Sequence, residues 1–258
     1  MCVKDVADLI ILRRALVESA NLKLPFAIPP WDTVIAIADA LPMNSWILVG
    51  GLMTQAHAIL AGHESRATHD IDLLIDVMSD TSNISVVMSC LQDMGFELQE
   101  PGLRGTAFHR MRKDGLIADV LIADHLPKGK ASKTKVNRWP MMEIAGGAQA
   151  VSRKMTLNIE HSGGTAQLCM PNTLGALILK AAAYCTDHRD RQRHLDDVAL
   201  LSSLIVDHKA ALKQLHGSDR KRLQSAAYAL SDPNNYAWIT LSPENRKAGQ
   251  LTLHILTS

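Results

Sequence analysis

The run Asp70-Ile71-Asp72-Leu73-Leu74-Ile75-Asp76 constrains the chain most, because it sets acids into a segment otherwise apolar enough to be a buried strand. Alternation along a strand places Asp70 and Asp72 on one face and turns Ile71 and Leu73 the other way, into a core. Two carboxylates about 7 Å apart can share a divalent metal and repel each other without one. Magnesium is the expected ion, since it takes hard carboxylate oxygens together with phosphate oxygens. Two solvated aspartates at a strand end fit the same three residues.

The rest of the chain supplies enough apolar material to bury such a strand. Of 258 residues 47% are apolar and 21% charged, so one large domain or two closely packed ones is expected. Aromatics are only 4%, which leaves Leu, Ile, Val, Ala and Met to build the core and argues against a stacking surface for single-stranded nucleic acid. A net charge of +1 removes global basicity as a sign of a nucleic-acid partner. Cys2, Cys90, Cys169 and Cys185 form no Cys-x-x-Cys pair, so neither a zinc knuckle nor a disulfide framework is indicated and a reducing cytoplasm is expected. The N-terminus lacks the order of a secretion signal. Ala40–His63 carries no charged residue and is long enough to span a bilayer, but Pro42, Asn44, Gly50-Gly51 and Gln55 break it, so no membrane helix is expected there.

Periodicity predicts two leading helices over 5–20 and 32–41, the second with Asp32 as N-cap after Pro29-Pro30. A strand Trp46–Val49, a glycine turn, a helix Leu52–Leu60 and the acidic strand 70–76 follow. A helix over 82–94 precedes strands at 96–99, 107–112 and 116–122, punctuated by Gly102, Gly105 and Gly115. Lys128–Arg138 reads as a solvated basic loop. A hairpin turns at Ser162-Gly163-Gly164, and after Pro171 four Ala/Leu-rich segments with helical spacing begin at Leu174, His194, Asp207 and Asp219. The expected organisation is α+β, with a mixed domain over 1–170 and a helical C-terminal domain over 171–258.

Gly50-Gly51, between a strand and a helix, lets a phosphate approach the backbone and the helix N-terminus, although a plain tight turn accounts for it too. Asp119 interrupts the apolar strand Ile117–Ile122 and is the candidate third acid for a site that holds two metals. Arg66 and Thr68 precede the acidic strand, where Arg66 contacts a phosphate or an ordinary ion-pair partner and Thr68 a phosphate or the turn itself. His57, His63, His69 and His109 default to core or surface roles, and His109-Arg110 lies near Asp119 if their strands pair.

Taken together, Val49-Gly50-Gly51-Leu52-Met53, then Arg66-Ala67-Thr68-His69-Asp70-Ile71-Asp72-Leu73-Leu74, then Ala118-Asp119-Val120 resembles the nucleotidyltransferase superfamily that includes DNA polymerase β-like enzymes. More narrowly the pattern resembles the AbiEii-type nucleotidyltransferases, many of which are toxins of type IV toxin–antitoxin pairs. The resemblance implies a nucleotidyltransferase-like mixed sheet with flanking helices and a helical bundle behind it. It implies that Asp70, Asp72 and Asp119 hold magnesium and a nucleoside triphosphate. It also extends to Lys180, a lysine facing the nucleotide, and to Arg193-His194-Leu195-Asp196-Asp197, where Asp197 matches a family acid and His194 stands in place of another. Gly51 stands where the superfamily often has a serine, so backbone N–H groups would have to hold the phosphate.

The implied reaction transfers a nucleotide to a hydroxyl on RNA or on a protein, with an antitoxin protein as a further expected partner. Lys128, Lys130, Lys133, Lys135 and Arg138 favour an RNA 3′ end, such as that of tRNA, if they flank the cleft. A non-catalytic nucleotide-binding or regulatory protein on the same fold is the alternative. His188, His194 and Asp197 also suggest a metal phosphohydrolase, but one short segment does not close such a site.

Overall fold

A computed structural model describes residues 19–24, 28–64, 66–101, 107–131 and 133–258. The first half runs β1 (Ser19–Leu24), α1 (Trp31–Ala40), β2 (Trp46–Val49), α2 (Gly50–Leu60), β3 (Asp70–Ile75), α3 (Asn83–Asp93), β4 (Glu97–Gln99), β5 (Arg110–Lys113) and β6 (Leu116–Ala123). It continues through α4 (Lys128–Ala131), β7 (Lys135–Val136), β8 (Trp139–Pro140), β9 (Glu143–Ile144), α5 (Gly147–Ser152), β10 (Lys154–His161) and β11 (Gly164–Pro171). Helices α6 (Thr173–Thr186), α7 (Arg191–Ser203), α8 (His208–Gln214), α9 (Asp219–Ala229), α10 (Tyr236–Ile239) and α11 (Pro243–Thr257) complete the chain.

The arrangement is α+β, with mixed sheets. The larger sheet has the order β2-β3-β6-β5-β4, and β9 pairs with the last residues of β6. β3 and β6 are parallel, while β2 pairs with β3, and β5 with β6, antiparallel. Every residue of β2 is buried, as are Ile71, Leu73, Leu74 and Ile75 of β3, which accounts for the apolar runs around the acids. Each such side chain contributes roughly 1.5–3 kcal/mol on burial, enough for the sheet to tolerate acids at one end of its strands. A second sheet, β1-β10-β11, lies with β11 against β2. No helix among the described residues is long and apolar enough to cross a membrane.

Several expectations need correction. Ser19 and Ala20 open a strand, β1, which pairs parallel with β10 and buries Leu22; the remainder of the helix expected over 5–20 lies outside the described residues, as do Gly102 and Gly105. Asp32 is not the N-cap of α1. That position is Pro30, and the Asp32 carboxylate accepts instead from the neighbouring Thr33 N–H at 2.6 Å. Asp76 leaves the acidic strand and accepts from Ser79 N–H in the following turn. Residues 107–109 are not strand: Phe108 makes one parallel bridge to Met141, which pulls this stretch off the sheet path. The basic segment is part helix and part ladder, with Lys130 anchored on the Val77 and Met78 carbonyls.

β11 ends at Pro171, and every later element among the described residues is a helix. Asn172 caps α6 by accepting from Gly175 N–H at 3.0 Å. Buried residues on both sides of this junction, Leu48 and Ile71 before it and Leu177, Val198 and Trp238 after it, belong to one core cluster. A buried ion pair, Arg153–Asp219 at 2.6 Å, reinforces the seam, with Asp219 also accepting from His216 N–H. Helix α11 was not expected from periodicity, yet Ser242-Pro243-Glu244 is a start signal: the Ser242 hydroxyl accepts from Asn245 N–H and Pro243 takes the first turn.

His57 ties α2 to this seam as a core residue. Its Nε2–H donates to the Pro171 carbonyl at 2.9 Å, and Nδ1 accepts from the Thr173 hydroxyl at 3.4 Å. Burial lowers its pKa to about 4, against the smaller opposite pull of the Pro171 hydrogen bond. The unfolded chain takes up a proton near pH 6.5 and the folded one only near 4, so His57 makes stability fall as pH drops through that window. The loss is about 3 kcal/mol at most. In urea unfolding at a series of pH values, His57→Gln is expected to flatten the difference between pH 7 and pH 4; an unchanged slope would show that His57 is not held neutral.

Candidate functional site

Strand register builds a row of four side chains across the larger sheet. Val49 lies opposite Asp72, Asp72 opposite Asp119, and Asp119 opposite Arg110. Asp70 shares the face of Asp72 two residues earlier, as alternation requires. The expected gathering of Asp70, Asp72 and Asp119 is therefore present. Its cause is the parallel pairing of β3 with β6, which no local sequence pattern encodes. Burial first, then the Asp119 charge, pushes the Asp72 carboxyl up to about 6. Lys180 opposes that push, Asp70 adds to it, and the nearby Gly51 backbone N–H also holds it down.

The two glycines serve the acids directly. Gly50 has φ +69°, and a Cβ on it would sit 1.7 Å from Asp72 Oδ2. A Cβ on Gly51 would sit 2.7 Å from Thr68 Oγ1. The glycine turn expected between strand and helix is the first turn of α2 itself, which starts at Gly50. The close approach it permits is that of Asp72 to Gly50 and of Thr68 to Gly51.

These residues floor a cleft of about 920 Å³ whose other wall is α6, the following turn and the start of α7. Asp70, Asp72, Asp119, Gly50, Gly51, Arg66, Thr68 and Lys180 all line it. Lys180 Nζ lies 2.6 Å from Asp197 Oδ2 with both side chains buried, and Arg66 Nη2 reaches the same oxygen at 3.5 Å. Asp197 thus sits behind the wall, holding both cations. His194 lines the cleft, buried, with Nε2 3.3 Å from Asp187 Oδ2; burial, then the Lys180 charge, lowers its pKa against the opposite pull of the Asp187 contact. Asp187 in turn accepts from Arg189 N–H and Arg193; burial would raise its carboxyl, but the Arg189 N–H, the His194 hydrogen bond and the Arg189 charge hold it below the usual range. His188 also lines the cleft, while Asp197 does not.

Asp187, Arg189 and Arg193 are cleft residues that the sequence does not single out, whereas Arg110 lies beside Asp119 as expected if their strands pair. Arg110 Nε and Nη2 donate to the two Asp119 oxygens at 2.8 and 2.7 Å. Its signal was its place one strand from the third acid, which required the β5–β6 register. The turn residues carry no periodic signal. None of Lys128, Lys130, Lys133, Lys135 and Arg138 lines this cleft.

The donor set suits a hard divalent ion: carboxylates only, on one face, with Asp72 short of compensating charge. Asp70 and Asp72 would hold it, and it would supply charge neutralisation for a polyphosphate. Among the described residues no three His, Cys, Asp or Glu side chains converge on one ion-sized point. Compared with family models, curated proteins and solved structures, the chain matches none.

Proposed function

We propose that this chain is a magnesium-dependent nucleotidyltransferase of the DNA polymerase β-like superfamily, moving a nucleotide from a nucleoside triphosphate to an acceptor hydroxyl. The observation that carries the reading is the triad Asp70, Asp72 and Asp119 on adjacent parallel strands, at the floor of a cleft walled by cations from a second, helical half. Asp70 and Asp72 bind the metal that neutralises the departing pyrophosphate. Lys180, positioned by Asp197, meets the triphosphate from the opposite wall, Arg66 meets it from the segment before β3, and Thr68 and the start of α2 frame its approach. The order of glycine pair, acidic pair and third acid supports an AbiEii-type toxin acting in the cytoplasm, with an antitoxin as protein partner.

The test is release of pyrophosphate from each nucleoside triphosphate with magnesium, using total RNA and cell lysate as acceptors. Label on RNA or on a protein identifies the acceptor. No release from any triphosphate overturns the transferase reading. One observation favours a non-catalytic nucleotide-binding protein instead: Arg110 is paired with Asp119, and both Lys180 and Arg66 with Asp197, so the cleft's main cations already have partners. That reading requires tight triphosphate binding without turnover.

For the acceptor we favour an RNA 3′ end, such as that of tRNA. Lys128, Lys133, Lys135 and Arg138 are exposed and lie outside the cleft, where they can hold the body of a polyanion while its end enters. Replacing these four by Ser is expected to weaken RNA affinity at least tenfold at low salt and flatten its salt dependence, with free-nucleotide binding unchanged. An unaltered salt slope would make the segment a solubilising surface only.

A further inference from the structure

Arg110 is placed where a two-metal site would have its second ion. It comes from the neighbouring strand, opposite Asp119 in the β5–β6 register, so its position is set by the sheet. Its fork meets both Asp119 oxygens at 2.8 and 2.7 Å, and the two side chains are 27% and 13% exposed, which limits screening of the pair. A carboxylate whose facing lone pairs both accept from a guanidinium offers neither to a metal on that side.

The charges point the same way. Asp70, Asp72 and Asp119 carry three negative charges, Arg110 returns one, and one divalent ion returns the other two. A second divalent ion beside Arg110 would leave the floor of the cleft positive before any substrate arrived.

We infer that Arg110 substitutes for the second divalent ion, so that the acidic face holds one metal per chain. This rests on reading that face as a magnesium site. A guanidinium has five donors and no acceptor, so Arg110 balances charge and orients a phosphate oxygen but does not ionise a hydroxyl by binding it, as a metal does.

The test is a titration of the full chain with Mn²⁺ alone, followed by electron paramagnetic resonance. The unaltered chain is expected to bind one Mn²⁺, with no coupling between ions. Arg110→Gln is expected to bind two, with a spin-coupled pair signal, and Arg110→Lys one, because the charge is kept. Arg110→Ser replaces the Gln variant if thermal melting shows that the latter does not fold. Two coupled ions on the unaltered chain, or one ion on the folded Gln or Ser variant, would overturn the inference and leave the magnesium reading standing. No bound Mn²⁺, or binding that survives Asp70→Asn and Asp72→Asn, would instead overturn the magnesium reading.

Discussion

Asp72→Asn is expected to lower nucleotidyl transfer at least a hundredfold while making the metal-free protein more stable at neutral pH. The activity loss follows from removing a ligand charge from the metal that neutralises pyrophosphate, about 3 kcal/mol of transition-state stabilisation. The stability gain has the opposite origin. The folded protein holds the Asp72 carboxyl at about 6, against an ordinary 3.8, so above pH 6 it carries a charge that its surroundings disfavour. Below pH 3.8 both folded and unfolded chains bind the proton and the penalty vanishes; it grows between 3.8 and 6 and is constant above. Two pK units set its ceiling at about 3 kcal/mol. Thermal melts without metal should therefore show the Asn variant above the parent at pH 8 and level with it near pH 3.5. A variant with activity within tenfold of the parent at saturating magnesium would remove Asp72 from the metal site, and a variant less stable at pH 8 would show that Asp72 is held by structural bonds.

The way this site was and was not visible in the sequence follows from the range of each interaction. Asp70 and Asp72 share a face because of a two-residue period, a local property that any strand has. The burial of Leu73 to Ile75 is likewise written in their side chains. That Asp119 stands beside Asp72 depends on β6 choosing β3 as a parallel neighbour after a long excursion through α3, β4 and β5. The residues named it as a candidate by its isolation in an apolar strand, and only the pairing gives it a place. Arg110 depends on one pairing more. The basic segment shows the same limit: five cations within eleven residues are conspicuous in sequence, but none lines the cleft and Lys130 is tied to Val77 and Met78, while Arg66, Arg110, Lys180, Arg189 and Arg193, scattered through the chain, supply the cleft's positive charge. At the N-terminal side, Ala20, Leu22 and Leu24 alternate with Ser19, Asn21 and Lys23, a strand period too short to stand against the helical reading of 5–20 until β10 supplies its partner.

Gly50→Ala is expected to damage both fold and site, more severely than any other single methyl group added to the cleft's glycines. The backbone there has φ +69°, a region that costs an L-residue about 1 kcal/mol even with free space. Space is not free, since the new Cβ would lie 1.7 Å from Asp72 Oδ2 and 2.8 Å from its Cβ, and the second of these cannot be relieved by turning the carboxylate. β3 is hydrogen-bonded on both sides, so the strand cannot retreat, and α2 begins at Gly50 itself. The clash is resolved by lifting the start of α2, which withdraws the Gly51 N–H from Asp72. A destabilisation of about 2–4 kcal/mol is expected from denaturant unfolding, in the range of overpacked cores with added backbone strain. Gly51→Ala is the control. Its neighbour is Thr68 Oγ1 at 2.7 Å, on a segment between elements, and its φ is not left-handed, so a smaller loss is expected. The double variant Gly50→Ala with Asp72→Gly, which also removes the Cβ at 2.8 Å, separates the two contributions. It keeps the backbone strain and removes the carboxylate, so recovery of more than half the lost stability would assign the requirement for glycine to Asp72, whereas no recovery would assign it to the turn alone.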